Sequence, residues 1–337
     1  MNIQQLEYIV AVDNHRHFAK ASEKSFVTQP TLSAMIQKLE EEFSVKIFDR
    51  SKQPVIPTPK GHEIILRARR VLAEVNELRN FVNDLKGGTS GELRLGIIPT
   101  LAPYLLPLFL NSFRDKNPDL KLFIKEMVTD EIIASLKSGE LDMGLLSTPL
   151  HETGISEHKL FDEELYAYAS ACLKLPAKRL LQPEEIDISH LWLLEEGHCL
   201  RNQVFNLCEL RKTDAANETL HYEAGSIETL INLVDSQNGV TIIPKLASFG
   251  LDSSQMKKLC QFADPKPARE ISLVVATDFS RKKLIEQLMK EILSSVPIEL
   301  TGHKKKILEI KSPNTEHFLN ENANASLRPS KDFSSYS

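Results

Sequence analysis

Between Ile64 and Leu85 the apolar residues Ile64, Ala68, Val71, Val75, Leu78, Val82 and Leu85 step alternately by four and three. A helix with an apolar stripe at this spacing presents a straight seam to a second helix. The natural partner is the same helix of another copy of the chain. Gly87-Gly88-Thr89-Ser90-Gly91 then supplies the residues of a flexible hinge. The chain is thereby divided into a small head before the helix and a larger body after it. Its 337 residues suit two or three domains.

In the head, residues 3–12 give a short helix with Leu6, Ile9 and Val10 inward, and Phe18–Lys24 a second. A third runs from Thr28 to about Glu42, with Thr28 as N-cap and Pro30 in the first turn. Leu32, Met35, Ile36 and Leu39 form its inner stripe, leaving Gln29, Thr31, Ser33, Gln37 and Lys38 outside. Two short helices joined by a tight turn, the second with a small polar outer face, make a helix-turn-helix. Such side chains hydrogen-bond base edges and phosphates in the major groove. A plain helical bundle shows the same pattern. Lys46–Arg50 and Val55–Thr58 read as two strands of a wing, from which Arg50 and Lys52 reach phosphates. Residues 1–90 hold 13 basic against 11 acidic residues, and the remainder 28 against 35. DNA binding must therefore come from local placement and not from bulk charge.

After the hinge, strands and helices alternate. Strands are expected at Glu92–Ile98, Leu120–Met127, Leu141–Leu146, Leu165–Ala171, Val240–Ile243 and Ile271–Ala276. Helices are expected at Tyr104–Asn117, Glu131–Ser138, Ile227–Gln237 and Lys283–Leu293. In such an α/β body, ligands sit at strand C-termini facing helix N-termini. Thr100 and Thr129 occupy that position.

Glu196-Gly197-His198-Cys199-Leu200-Arg201 leads into a helix whose face is Leu200, Val204 and Leu207. Cys199 and Cys208 are nine residues apart. On an intact helix their Cα atoms lie about 13–14 Å apart along the axis, against the roughly 7 Å limit of a disulfide. Any bond between them would have to melt the helix. A helix N-terminus, with His198 and Arg201 nearby, suits a reactive thiolate. Two buried packing cysteines are the plain alternative, and the spacing is wrong for structural zinc.

The head resembles the LysR-type transcriptional regulators. The resemblance is carried by Phe18, Ala19, Ala21, the run Thr28-Gln29-Pro30-Thr31-Leu32-Ser33, Ile36, Leu39-Glu40, Phe48, Arg50 and Thr58-Pro59-Lys60-Gly61. It implies a winged helix-turn-helix (1–60), a dimerising linker helix (61–86) using Ala68, Val71, Val75, Leu78, Val82 and Leu85, and a hinge (87–91). It also implies an α/β effector domain like a periplasmic binding protein, with subdomain I at 92–163 and 268–300 and subdomain II at 164–267. DNA contacts fall on Thr28, Gln29, Pro30, Thr31, Ser33, Gln37, Lys38 and Arg50.

Within the family the chain is similar to the regulators that sense hydrogen peroxide. The match runs through Asn2-Ile3, Leu6-Glu7-Tyr8, His15-Arg16-His17-Phe18, Ile98-Pro99-Thr100, Pro103–Pro107 and Glu196–Arg201. That resemblance makes Cys199 the peroxide-reacting cysteine and Cys208 the resolving one, in a redox segment at 197–210. Thr100, Thr129, His198, Arg201 and Arg269 support the site. Asn202 stands where the family often has Asp, which puts a proton relay there in doubt. The implied protein is a cytoplasmic homodimer or homotetramer that activates oxidative-stress genes. It partners operator DNA and RNA polymerase, takes no cofactor or metal, is not an enzyme and touches no membrane. The alternative is a LysR-type regulator of a small metabolite, with structural cysteines. Cys172 and Cys260 have no motif around them and read as packing residues, and the 301–337 tail as disordered. Four cysteines in 38.0 kDa, with no apolar leader, fit a reducing compartment.

Overall fold

The structure, a computed structural model, describes residues 1–85, 90–170, 180–186, 190–208, 223–301 and 307–309. Gly87-Gly88-Thr89 of the expected hinge, Cys172, positions 209–210 of the redox segment and most of the tail lie outside the described residues.

The head contains helices α1 (Ile3–His15), α2 (Phe18–Lys24) and α3 (Gln29–Phe43), the two-residue strands β1 (Phe48–Asp49) and β2 (Ile56–Pro57), and the long helix α4 (Pro59–Leu85). Asn2 opens α1 with a capping box: the Gln5 N–H donates to Asn2 Oδ1 at 2.9 Å, and the Asn2 N–H to Gln5 Oε1 at 3.0 Å. Leu6, Ile9, Val12, Leu32, Ile36 and Leu39 form the core. The buried Glu40 carboxylate accepts the N–H groups of Ile47 at 2.7 Å and Phe48 at 3.2 Å, which anchors the wing. α4 starts at Pro59, earlier than its apolar seam suggests. Thr58 Oγ1 caps the Gly61 N–H at 2.9 Å, and proline suits the first turn. The seam also begins later than its spacing implies. Ile65 and Ala68 turn into the head core, while Val71, Leu78, Phe81 and Val82 stand exposed on α4.

The body comprises β3 (Gly91–Ile97), α5 (Ala102–Lys116), β4 (Leu120–Glu126), α6 (Thr129–Ser138), β5 (Met143–Thr148), β6 (Ile155–Ala169), β7 (Leu193–Leu194), α7 (Cys199–Leu207), β8 (Glu223–Ala224) and α8 (Ile227–Gln237). It continues with β9 (Val240–Pro244), α9 (Lys245–Ser248), β10 (Leu259–Gln261), β11 (Lys266–Ala276), α10 (Lys282–Ser295), α11 (Ile298–Thr301) and β12 (Ile307–Glu309). The main sheet runs β10-β6-β11-β5-β3-β4, with β9 also on β6. β6 and β11 are the long strands that serve both subdomains. β11 pairs with β5 on one side, and the far end of β6 pairs with β9 and β10. Two apolar cores result, one on each side of this crossing, and Tyr104 packs against both.

Three expectations change here. β6 begins at Ile155, not Leu165, because backbone pairing with β11 holds its polar first half, Ile155–Lys159. Residues 307–309 of the tail form β12, which pairs with Lys266–Ala268 of β11 beyond the end of β5. An open strand edge accepts a short partner through the backbone alone, whatever the composition of the surrounding tail. Cys260 is buried but disulfide-bonded, so it is not a free packing thiol.

Arg69 of α4 joins the head to the body. It pairs with Asp13 at 2.8 Å, also donates to Asn14, and pairs with Glu140 at the end of α6. A cleft of about 420 Å³ opens beside it, lined in part by Glu7, Arg79 and Arg94. Among the described residues no helix is long and apolar enough to cross a membrane.

The approach of α4 to the wing admits only glycine at position 61, where a Cβ would stand 1.9 Å from the backbone oxygen of Ile47. Gly61→Ala is expected to destabilise the head by about 1–3 kcal/mol, the usual cost of overpacking. Chemical denaturation followed by circular dichroism would show it as a lowered midpoint, and an unchanged midpoint would refute the contact.

Candidate functional site

The residues expected to support Cys199 come from four elements. Thr100 follows β3, Thr129 opens α6, Arg269 lies on β11, and Cys199 is the first residue of α7. Gly197 lets the chain turn into α7 at φ +95°, a left-handed conformation that side chains rarely adopt, with Val128 beside it. The helix straddles the two cores. Leu200, Val204 and Leu207 belong to the core of subdomain II, but Cys199 packs into that of subdomain I. Gln203 reaches the same way, donating to Ser147 Oγ of β5 at 3.0 Å.

Arg269 is 1% exposed. Its Nη1 donates to Thr100 Oγ1 at 2.9 Å and its Nη2 to the Thr100 carbonyl at 3.1 Å. On the other side Nε donates to Glu163 Oε2 at 2.9 Å. Breaking such a buried pair by removing one partner costs about 3–5 kcal/mol. Nothing in the sequence marks Glu163, an acid within the ordinary-looking run Phe161-Asp162-Glu163-Glu164-Leu165. Nor does it point to Gln203, or to the 2.7 Å hydrogen bond from Tyr104 of subdomain I to Glu228 of α8.

Burial pushes the Cys199 thiol above its ordinary pKa. The Arg269 guanidinium, the Thr129 hydroxyl and the N–H groups of Leu200 and Cys199 pull the other way. The buried Thr129 hydroxyl makes no hydrogen bond to any described group, but it lies near enough to the sulfur to favour the thiolate. This corrects the expectation of a depressed thiol flanked by His198 and Arg201. Desolvation outweighs the helix terminus. The buried His198 places Nε2 3.6 Å from Glu195 Oε1, while Arg201 donates to the Leu194 carbonyl and lies over the Phe205 ring. Arg269, distant in sequence, is the cation that acts on the sulfur.

Cys208 closes α7, its N–H donating to the Val204 carbonyl at 3.0 Å, and packs against subdomain II. Burial, then the Glu184 carboxylate, push its thiol up to about 11. Both cysteines are free and sit at opposite ends of an intact helix. The arrangement provides an enclosed sulfur near a hydroxyl and a guanidinium, and a second thiol at the far end of the same helix. Among the described residues no cluster of three or more His, Cys, Asp or Glu side chains is placed to hold a metal.

The head presents a second candidate surface. Gln29, Pro30, Thr31, Gln37 and Lys38 of α3 are exposed, as is the N-cap Thr28, and Ser33 is half-buried. The Thr28 and Thr31 hydroxyls are 2.8 Å apart, and Gln37 donates to Glu41 at 3.0 Å. Arg50 joins the wing to this helix, donating to Ser33 Oγ at 3.0 Å while its guanidinium covers the Phe18 ring.

The sequence pattern of the bacterial regulatory helix-turn-helix protein, lysR family, matches residues 3–62, and that of the LysR substrate binding domain matches residues 86–296. The hydrogen peroxide-inducible genes activator of Haemophilus influenzae is 32% identical over 304 residues, covering 90% of this chain and 100% of the relative. Full-length OxyR of Pseudomonas aeruginosa, solved as a cysteine-to-aspartate variant, superposes with a TM-score of 0.73 at 31% identity, over 88% of this chain and 99% of that one. A cysteine mutant of Corynebacterium glutamicum OxyR with hydrogen peroxide bound gives 0.58 at 27% identity, over 91% and 98%.

Because burial raises the Cys199 pKa, the thiol is expected to be mostly protonated at neutral pH. Its reaction with iodoacetamide should then climb about tenfold per pH unit from pH 6 to 8, since the thiolate is the nucleophile. Alkylation of the reduced protein, quantified by peptide mass spectrometry, measures this. A rate already flat by pH 7 would mean a depressed thiol.

Proposed function

Since the chain belongs to the LysR family of bacterial transcriptional regulators, we propose that it senses hydrogen peroxide through a reversible Cys199–Cys208 disulfide and controls oxidative-stress genes by binding operator DNA. The observation that carries this reading is the placement of two free cysteines at the ends of one short helix, one of them facing Arg269 and Thr129. A regulator of a metabolite has no use for that arrangement.

In the proposed sequence the Cys199 thiolate attacks one oxygen of hydrogen peroxide. The O–O bond breaks, sulfur is oxidised to a sulfenic acid, and the leaving hydroxide takes a proton to become water. Thr129 hydrogen-bonds the sulfur, while Thr100 and Arg269 orient the peroxide and stabilise the charge on the departing oxygen. His198 and Arg201 support the turn into the helix. α7 then unwinds. The Cys208 thiolate displaces hydroxide from the sulfenic sulfur, closing the disulfide with loss of a second water. Two cellular thiols reduce it again. One peroxide is consumed per switching event, and the helix-turn-helix head, for which a peroxidase has no need, makes the chain a sensor. Closing the loop from Cys199 to Cys208 is worth about 2–3 kcal/mol in the chain-entropy model, enough to reverse a two-state equilibrium with a gap of that size.

The exposed stripe Val71, Leu78, Phe81 and Val82 supports pairing of α4 between two copies, with a tetramer formed through the effector domains. Gln29, Thr31, Ser33 and Lys38 are assigned to base edges and nearby phosphates. Arg50 is assigned to the backbone, and RNA polymerase to activation in the cytoplasm. The domain boundaries follow the same reading: head at 1–60, linker helix at 61–86, hinge at 87–91 and effector beyond.

Peptide mass spectrometry after stoichiometric peroxide and thiol alkylation tests the switch. A linked Cys199–Cys208 peptide is expected, absent from Cys199→Ser and reversed by reductant. Separately alkylated cysteines would leave metabolite binding as the better reading. Gln29→Ala should weaken operator binding by about 1–3 kcal/mol, the range for a lost base contact, with peroxide reactivity intact. A native footprint from this variant would remove the assignment. Leu78→Asp is expected to dissociate the dimer in analytical ultracentrifugation.

A further inference from the structure

We infer that Glu163 is a positioning residue of the peroxide site: its two carboxylate oxygens fix the Arg269 guanidinium against Thr100 and at the same time hold the first turn of α9. The inference rests on the peroxide reading above and adds to it a residue with no contact to the sulfur.

The geometry requires a carboxylate. Glu163 lies on β6 directly opposite Arg269 on β11, and both side chains are buried. Oε2 receives the guanidinium, with Nε and Nη2 each at 2.9 Å. Oε1 receives the backbone N–H of Leu246 at 2.8 Å. Every oxygen of Glu163 thus faces a donor, and none of these donors can turn away. Leu246 N–H belongs to a buried helix start, and the guanidinium is held on its other edge by both Thr100 oxygens. A glutamine of the same shape presents one acceptor and one amide group. Whichever way it is turned, an N–H meets an N–H, either at Leu246 or at Arg269.

The position of the pair in the fold gives it reach. β6 and β11 are the strands shared by the two subdomains. Glu163 ties the cation to subdomain II through α9, while Thr100 ties it to subdomain I. Tyr104, bonded to Glu228 of α8 at 2.7 Å, lies within the field of both Arg269 and Glu163. His198 adjoins Cys199 at the start of α7, with Glu195 3.6 Å beyond its ring.

Two roles for Glu163 predict opposite signs. If it only balances charge beside an immobile Arg269, its neutralisation strengthens the cation felt by Cys199. The thiolate then forms at lower pH, and peroxide reacts faster. If it positions Arg269, its loss lets the guanidinium leave the Thr100 side, and thiolate stabilisation is lost with it.

The experiment compares reduced full-length wild type, Glu163→Gln and Glu163→Asp. It measures peroxide oxidation by stopped flow, the pH profile of Cys199 alkylation, and operator affinity in the reduced state. Glu163→Gln should oxidise about ten- to a hundredfold more slowly, the scale of a displaced catalytic group. Its alkylation profile should move to higher pH, and its operator affinity should be unchanged. Glu163→Asp, shorter but with both acceptors, should fall between wild type and Gln. A Gln variant that reacts as fast as wild type, or faster with its profile moved to lower pH, overturns the proposal. So does a Gln variant milder than Asp, which would indicate side-chain volume alone. Should Glu163→Gln not fold, Glu163→Asp decides: slower oxidation with the profile moved up supports the role, and a wild-type profile overturns it. If wild-type Cys199 fails to react with peroxide at all, the peroxide reading itself falls, and the alkylation profiles still decide whether Glu163 positions the guanidinium.

Discussion

A folded α7 keeps two thiols apart. With Cys199 as its first residue and Cys208 just past its last, the helix is a spacer whose length is incompatible with a disulfide. Nine residues make a helix too short to persist alone in water. It is held by Leu200, Val204 and Leu207 in one core and by Cys199 and Gln203 reaching toward the other. The spacer therefore depends on both subdomains together, and any change in their mutual packing bears on it.

At the crossing of β6 and β11, Glu163 and Arg269 are fully buried. Arg269 donates to oxygen acceptors on each side, so its head group is located by hydrogen bonds and not by charge alone. A cation fixed in this way partly offsets the desolvation of the Cys199 thiol without being drawn off by solvent. The same sulfur is thus both protected by apolar walls and addressed by a few directed polar groups.

The head and the general α/β pattern of the body were legible because their signals are local. Thr28 and Pro30 mark the start of α3, and period-3.6 stripes mark its inner face. The beginning of α4 was hidden because apolar spacing reports burial, while its start depends on the Thr58 cap. The polar half of β6 was hidden because its partner strand lies a hundred residues downstream. At the candidate site, Cys199, Cys208, Thr100, Thr129 and Arg269 could be named from sequence resemblance, but not the sign of the thiol shift. That sign is set by desolvation in the folded protein, which adjacent residues such as His198 and Arg201 do not reveal. Glu163 escaped for the same reason: its role exists only once two distant strands are paired.

The enclosure of Cys199 also sets a race. On the proposed reading, a sulfenic acid formed there must outlast the time α7 takes to open before Cys208 arrives. During that interval a second peroxide would drive sulfur irreversibly to the sulfinic state. The walls that keep the thiol at 7% exposure act on both molecules alike. They slow the first oxidation somewhat, and they shelter its product while the chain rearranges. Burial, a handicap for sensitivity, is what allows a sensor with a distant resolving partner to survive its own signal and be used again.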